Sequence, residues 1–332
     1  MNAARRLLRR IVPSAVRKPV AEGLISLHNY RRARRVLGVY SQHYAEARRR
    51  YQADGQPVDL AVASLVDVGV RRLAPGSSSN VINLPPDYLD LVARIAQDAD
   101  RRFALAANCA FFPPLGAPAR VERTEDVEEI RERRIITMQL VGALVLDGLE
   151  TLCAALVPEV ERRVYGSYAL VDKIYVYRSP VSQAPPRASW LWHYDEHPLE
   201  VLKLMIYLTD VEADTAPFTY LAKGDPPVGV LGTRNPLYGQ SRISAERMDA
   251  YAARGCHPVS VTGPRGTAVL FNDNVVHRAT LAERRHRDVL TLQLRPADVR
   301  RTPYVDPRWT GSFPHRDFNR DPRAIAPQVW PP

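Results

Sequence analysis

Two histidines and one aspartate occur in this chain at a spacing that suits a metal ion. His193 and Asp195 form the pattern H-x-D, and His277 follows 82 residues after the aspartate. On an extended strand, residues two apart project to the same side, so His193 and Asp195 can face one site while a distant strand brings in His277. Two imidazoles and one carboxylate form the facial triad of non-heme iron enzymes, which leaves further coordination positions open. These residues therefore predict an iron site that could use oxygen.

The segments around the three residues predict β-strands. A β-rich run covers residues 200–211, a second short strand is predicted over 216–221, and an apolar strand precedes the loop that ends at His277. Ten residues beyond His277, the run 287–294 alternates between two faces. One face contains Leu290, Leu292 and Leu294, and the other contains Arg287, Val289, Thr291 and Gln293.

Five motifs follow one another in this region. They are Trp192-His193-Tyr194-Asp195, Lys203 to Val211, Pro217-Phe218-Thr219-Tyr220, Gly266-Thr267, and His277-Arg278 with Arg287. In content and order they resemble the phytanoyl-CoA dioxygenase family of Fe(II)- and 2-oxoglutarate-dependent oxygenases. The resemblance covers roughly residues 60 to 296 and is specific between 190 and 290.

The resemblance implies a fold and a reaction. The fold is a double-stranded β-helix of the jelly-roll or cupin type, a mostly β core with flanking helices (α+β) and a helical N-terminal region. Iron would be held at one mouth of the barrel by His193, Asp195 and His277, with 2-oxoglutarate and O2 as cosubstrates. The implied reaction is hydroxylation of a C–H bond in a small organic or natural-product substrate, with release of succinate and CO2, or a desaturation or cyclisation by the same chemistry.

A buried cation is required for the far carboxylate of 2-oxoglutarate, and Arg287 is the candidate. A planar guanidinium can bond both oxygens of a carboxylate at once. The strand pattern places Arg287 with Thr291 and Gln293 rather than with the leucines. Arg284 and Arg285 are close enough in sequence to be mistaken for it, and the alternative is that Arg287 is a solvated surface charge like its neighbours.

Three further residues are weaker candidates for cosubstrate contacts. If the leucine face of 202–208 packs under helices, Lys203 and Tyr207 look into the barrel and could bind the cosubstrate or the substrate. Equally, Lys203 could extend to solvent at a strand end and Tyr207 could fill the core. Thr267 is the weakest of the three. The chain departs from the family pattern at Ala216, where relatives have glycine, and His197 is expected in a loop rather than as a ligand because Pro198 follows it.

Composition limits the class of protein. The chain has 332 residues, 45% of them hydrophobic, and three cysteines without a C-x-x-C pair, which favours a reducing cytoplasm. No apolar run approaches the roughly 20 residues of a membrane span, and no signal peptide is recognised. Residues 1–50 contain 13 Lys or Arg but only two acidic residues.

The basic arm leaves two interpretations open. A helix before Pro13 has an arginine face and an apolar face, which suits contact with an anionic membrane or partner and a location at the inner face of a membrane. The other interpretation is that the arm forms ordinary amphipathic helices that dock on the barrel. Nucleic acid is a poor candidate because no recognised binding motif accompanies the charge.

The predicted organisation is an N-terminal arm over 1–50, one oxygenase domain over 51–300 with a lid-like insertion at 223–262, and an irregular tail over 301–332. Helices are predicted at 86–107, 124–157 and 244–254. Two alternatives come from other functional classes. One is a zinc-binding barrel that catalyses hydrolysis, and the other is a non-catalytic barrel whose basic arm binds an anionic membrane or partner.

Overall fold

The computed structural model describes residues 38–78, 80–112, 137–141, 146–183, 185–186, 188–195, 197–228 and 242–305. The strands are β1 (Val70–Leu73), β2 (Cys109–Phe112), β3 (Thr137–Leu140), β4 (Tyr168–Ser179), β5 (Leu202–Tyr207), β6 (Phe218–Lys223), β7 (Cys256–Val261), β8 (Ala268–Asn272), β9 (His277–Arg278) and β10 (Arg287–Ala297). The helices are α1 (38–53), α2 (Tyr88–Phe103), α3 (Leu149–Val160) and α4 (Ala245–Ala252). None of the described helices is both long enough and apolar enough to cross a membrane.

The strands form two antiparallel sheets. The larger has the order β1-β8-β5-β10-β4-β3-β2, and the smaller has the order β7-β6-β9 and is extended by bridges at His193. From β4 onward the chain passes from the large sheet to His193 in the small one, back to β5, across to β6 and β7, and then through β8, β9 and β10 in alternate sheets. This alternation is that of a jelly roll, so the predicted double-stranded β-helix is confirmed.

The two faces of the large sheet differ as the sequence pattern predicts. Leucines of β5, β8 and β10 lie on the outer face, in one apolar core with α2 and α3. On the inner face, residues of β10 lie opposite residues of its two neighbouring strands, β4 and β5. Arg287 pairs with Ser179, Val289 with both Tyr177 and Tyr207, and Gln293 with Lys203. The barrel interior is therefore lined by the face that begins with Arg287.

Helix α1 closes one end of the barrel. Tyr51 packs against Tyr168 and Leu170 at the end of the sheet, and the Ser41 hydroxyl donates a hydrogen bond of 3.0 Å to Glu200. The helix continues through residue 50 to residue 53, so this part of the basic arm docks on the barrel. Residues 1–37, which include the predicted amphipathic helix, lie outside the described residues, as do 306–332 of the predicted tail.

One predicted helix is wrong over part of its length. Residues 137–140, within the helix predicted at 124–157, form strand β3, and the observed helix begins at Leu149. Met138 and Gln139 pair with β4 at the edge of the large sheet, so tertiary strand pairing outweighs the local helical pattern. The helices predicted at 86–107 and 244–254 are confirmed, with α4 lying in the insertion between β6 and β7.

Candidate metal centre and cosubstrate site

The three predicted metal ligands converge inside the barrel. His193 and His277 face each other across adjacent strands, because each backbone N–H donates to the other's carbonyl oxygen at 2.9 and 2.8 Å. Their ring centroids are 4.3 Å apart. Asp195 follows two residues after His193, and its N–H donates to the carbonyl oxygen of Asp273 at 2.9 Å. One potential ligand atom from each residue lies within 4.8 Å of the others.

The protonation of the histidines suits a metal. Nδ1 of His193 lies 2.8 Å from the carbonyl oxygen of Leu191, and Nδ1 of His277 lies 2.8 Å from that of Val275. A carbonyl accepts only, so the ring proton sits on Nδ1 and the Nε2 lone pair faces the site. Burial, followed by the charge of His193, lowers the pKa of His277 to about 4, so this imidazole is neutral at pH 7.

The donor atoms fit an iron ion. Nε2 of His193 lies 3.5 Å from Oδ1 of Asp195, and Nε2 of His277 lies 3.8 Å from Oδ2. Burial would raise the pKa of Asp195, but the charge of Lys203 and the two imidazoles hold it well below its usual value. Imidazole nitrogens from two histidines and an ionised carboxylate are the ligand set of a non-heme Fe(II) site.

Arg287 is a buried cation in the barrel interior. Its residue is 1% exposed, and its guanidinium lies 5.8 Å from the centre of the Tyr177 ring. Nη2 donates a long hydrogen bond of 3.5 Å to the Ser179 hydroxyl. Within the described part of the chain, Nε and Nη1 have no hydrogen-bond partner. A buried guanidinium in this condition fits an anionic ligand.

The neighbouring arginines differ from Arg287. Arg284 and Arg285 have side chains 68% and 49% exposed, and both pair with Glu212 on the surface. Arg284 also pairs with Asp214. The structure thus distinguishes the three arginines, and only Arg287 of these lies on the inner face.

Aromatic side chains connect the metal ligands with Arg287. The His277 ring lies 5.5 Å from the Phe218 ring, and the Phe218 N–H donates to the Tyr207 hydroxyl at 3.1 Å. Burial raises the pKa of Tyr207, and the nearby charge of Arg287 opposes that rise. The Tyr207 hydroxyl also donates to the carbonyl oxygen of Val261 at 2.7 Å, so backbone groups already occupy it.

Thr267 lies at the same end of the barrel as Tyr207. Its carbonyl oxygen accepts the Tyr207 N–H at 2.9 Å, and Gly266 donates to the Tyr207 carbonyl oxygen at the same distance. Gly266 has φ +89°, and a Cβ there would lie 2.6 Å from Leu89, so glycine is required at this turn. The Gly-Thr motif positions β8 beside β5.

Lys203 lies in the barrel, as its strand parity predicts, but next to the predicted metal ligands. Its ammonium lies 2.5 Å from Oδ2 of Asp195 and 3.6 Å from Oδ1 of Asp273. Asp273 is fully buried, and its other oxygen bonds Nδ1 of His197. Neither the buried position of Asp273 nor the hydrogen bond between His197 and Asp273 was predicted from the sequence. A signal existed in Asn272-Asp-Asn274, three polar residues in succession at the end of a buried strand.

Ala216, which stands where the resembled family has glycine, has a backbone conformation that favours glycine. Its φ is 62°, and it is the one non-glycine residue with positive φ among those the structure describes. A side chain in this left-handed region is strained. The departure at Ala216 therefore keeps the backbone shape and adds a local cost.

The chain was compared with known protein families, curated proteins and solved structures, and only solved structures match it. No family model matches the chain, and no curated protein matches it. EctD from S. alaskensis, in its apoform, is 14% identical over 82% of this chain and 92% of its own, with a TM-score of 0.43. AviO1 from Streptomyces viridochromogenes Tue57 is 16% identical over 70% of this chain and 92% of its own, with a TM-score of 0.37.

A third match is the non-heme alpha ketoglutarate dependent epimerase SnoN from nogalamycin biosynthesis. It is 15% identical over 61% of this chain and 83% of its own, with a TM-score of 0.35. At these identities and TM-scores, the likenesses assign neither a family nor a reaction to this chain. Membership of the phytanoyl-CoA dioxygenase family therefore stays a prediction.

Proposed function

We propose that this protein is an Fe(II)- and 2-oxoglutarate-dependent dioxygenase that hydroxylates a C–H bond of a small organic substrate and releases succinate and CO2. The observation that carries the proposal is Arg287, a buried guanidinium of which two nitrogens have no hydrogen-bond partner among the described residues, in the same barrel interior as the predicted triad. Hydrolysis by a zinc site has no need of such a cation, whereas a dicarboxylate cosubstrate does.

The chain's own residues divide the work between two places. His193, Asp195 and His277 would hold the iron, and Arg287 would hold the far carboxylate of 2-oxoglutarate. Tyr207 and Thr267 would form the wall beside that carboxylate, with Tyr207 held in place by its backbone partners. When bound together with O2, the iron and cosubstrate supply an oxidant strong enough to attack a C–H bond.

The apolar wall between the two places would exclude water from the cosubstrate. Met205, Val269 and Phe271 lie on the inner face and pack with Phe218 and Val289 in one cluster. A dry environment strengthens the attraction between a guanidinium and a carboxylate. It also favours one defined pose for a bound dicarboxylate.

Anaerobic titration tests this proposal. The metal-free protein would receive Fe(II) and then 2-oxoglutarate, and a weak visible charge-transfer band should appear when the keto acid chelates the iron. Asp195→Ala should lose the band while keeping its circular dichroism spectrum, because it removes an iron ligand. Asp225→Ala, at an exposed aspartate, is the matched control and should keep the band.

Two results would overturn the proposal. One is the absence of a band in the wild-type protein together with tight zinc binding, which would favour the hydrolase alternative. The other is an undiminished band in Asp195→Ala, which would remove the triad from the site. Substrate oxidation and succinate release, measured after a band is found, would then identify the organic substrate by screening.

A further inference from the structure

Lys203 occupies the position of a support for the metal-binding carboxylate. Its ammonium lies 2.5 Å from Oδ2 of Asp195, which is also 3.8 Å from the His277 Nε2, whereas Oδ1 lies 3.5 Å from the His193 Nε2. The two side chains are only 16% and 20% exposed, so solvent screens their attraction little. An ammonium on one carboxylate oxygen leaves the lone pairs of the other oxygen for a metal.

A second carboxylate, that of Asp273, also pairs with Lys203. Oδ1 of Asp273 lies 3.6 Å from the ammonium, and Oδ2 bonds Nδ1 of His197. The same aspartate accepts the backbone N–H of Asp195 with its carbonyl oxygen at 2.9 Å. Asp273 thus contacts both the backbone of Asp195 and the cation that holds the Asp195 side chain.

The loop after Asp195 is fastened to the same segment. Asn274 donates its side-chain amide to the carbonyl oxygen of His197 at 3.0 Å, and Asn272 donates to that of Leu199 at 2.8 Å. Asn272 also accepts the Asn274 N–H at 3.0 Å. The polar run 272–274 therefore holds residues 197 and 199 of the segment that follows the H-x-D motif.

From this geometry we infer that Lys203 is a positioning residue for Asp195. It holds the carboxylate through Oδ2, which would leave Oδ1 available to bind the iron, and Asp273 with His197 keeps Lys203 in place. The inference rests on the proposed iron site and assigns Lys203 to the ligand rather than to 2-oxoglutarate. Partners of metal ligands outside the coordination shell commonly contribute about 10- to 100-fold to metal affinity.

Metal affinity without turnover tests the inference. Co(II) would be titrated into the metal-free wild-type protein and into Lys203→Met, and both the dissociation constant and the visible d–d spectrum would be recorded. We expect Lys203→Met to bind Co(II) about 10-fold or more weaker with an altered spectrum, because the freed carboxylate can bind through two oxygens. Lys203→Arg should restore most of the affinity by returning a cation.

Matched variants separate positioning from general stability. Lys223→Met makes the same change at an exposed lysine at the end of β6 and should leave Co(II) affinity and spectrum unchanged. Asp273→Asn should weaken Co(II) binding by less than Lys203→Met does. If Lys203→Met does not fold, Asp273→Asn tests the same role. Melting temperatures of all variants show which of them are folded.

The outcomes distinguish this inference from the proposed function. If wild-type protein does not bind Co(II) at the triad, shown by equal titrations of wild type and Asp195→Ala, the proposed iron site itself fails. If the wild type binds Co(II) and folded Lys203→Met binds it equally well with the same spectrum, the iron site stands and the positioning role is wrong. Equal losses in Lys203→Met and Lys223→Met would also overturn the positioning role.

Discussion

Two arginines on one strand show how the ends of the barrel interior differ. Arg287 and Arg295 lie on the same face of β10, and each is 1% exposed. Arg295 is paired with Asp172 at 3.2 Å and donates to the Tyr40 hydroxyl of α1 at 3.5 Å. Arg287 has two nitrogens with no partner in the described structure.

The difference between Arg287 and Arg295 indicates which end of the barrel interior can receive an anionic ligand. At the Arg295 end, Asp172 also accepts from Gln293 at 3.1 Å, so the buried charges satisfy one another, and helix α1 covers them. Burying a cation without an anion costs free energy, and proteins retain such a cation where it binds an anionic ligand. The Arg295 end is therefore structural, and the Arg287 end is the one that we propose binds the cosubstrate.

The largest expected effect is a loss of stability at the closed end. Arg295→Met would break the buried ion pair between Arg295 and Asp172, and we expect a decrease of about 3–5 kcal/mol in the free energy of unfolding. Urea denaturation followed by circular dichroism measures it. Arg287→Met, the same change on the same strand face, should cost far less because Arg287 forms no ion pair within the described ranges. Equal losses in the two variants would contradict the comparison.

A second prediction concerns pH and Lys173, which lies in the closed end and is 2% exposed. Burial lowers its pKa from 10.5 to about 8, so between these values the unfolded chain binds the proton and the folded chain releases it. Stability contributed by this group therefore rises with pH, by about 1 kcal/mol between pH 7 and pH 9. Urea denaturation at both pH values should show this rise in wild type relative to Lys173→Met.

Lys223→Met is the control for that experiment, because Lys223 is exposed at the end of β6. It should keep the wild-type dependence on pH. If Lys173→Met and wild type change in parallel between pH 7 and pH 9, the lysine does not carry the predicted proton change.

The smallest expected effect is at Ala216, just before β6. Ala216→Gly removes a side chain from a left-handed backbone conformation and should raise the free energy of unfolding by about 1 kcal/mol. Thermal denaturation is sensitive enough to detect it. Binding of 2-oxoglutarate should not change, since the backbone shape is kept, and a destabilised variant would argue against strain at this residue.

Much of the candidate site could be predicted from the sequence because strand parity is local. The two-residue period places His193 with Asp195, and it separates Arg287 from the leucines of β10 before any fold is known. The same parity directs Lys203 into the barrel. Arg284 and Arg285 are told apart from Arg287 only by the observed exposure, since all three stand at the start of one strand.

What could not be predicted depends on contacts between distant segments. The pairing of Lys203 with Asp273 follows from the register of β5 on β8, which places Phe271 opposite Lys203. Strand β3 forms because its residues pair with the edge of β4, although the local sequence predicts a helix. The docking of α1 depends on Tyr51 meeting Tyr168, and nothing in the basic arm specifies that contact.

The most direct test of the account compares two keto acids that differ at one end. Binding of 2-oxoglutarate and of 2-oxopentanoate, which has a methyl group in place of the far carboxylate, would be measured by calorimetry on the Mn(II)-loaded protein without oxygen. Wild type should prefer 2-oxoglutarate by at least about 30-fold, and Arg287→Met should bind the two about equally. A preference that persists undiminished in folded Arg287→Met would contradict the claim that Arg287 binds the cosubstrate.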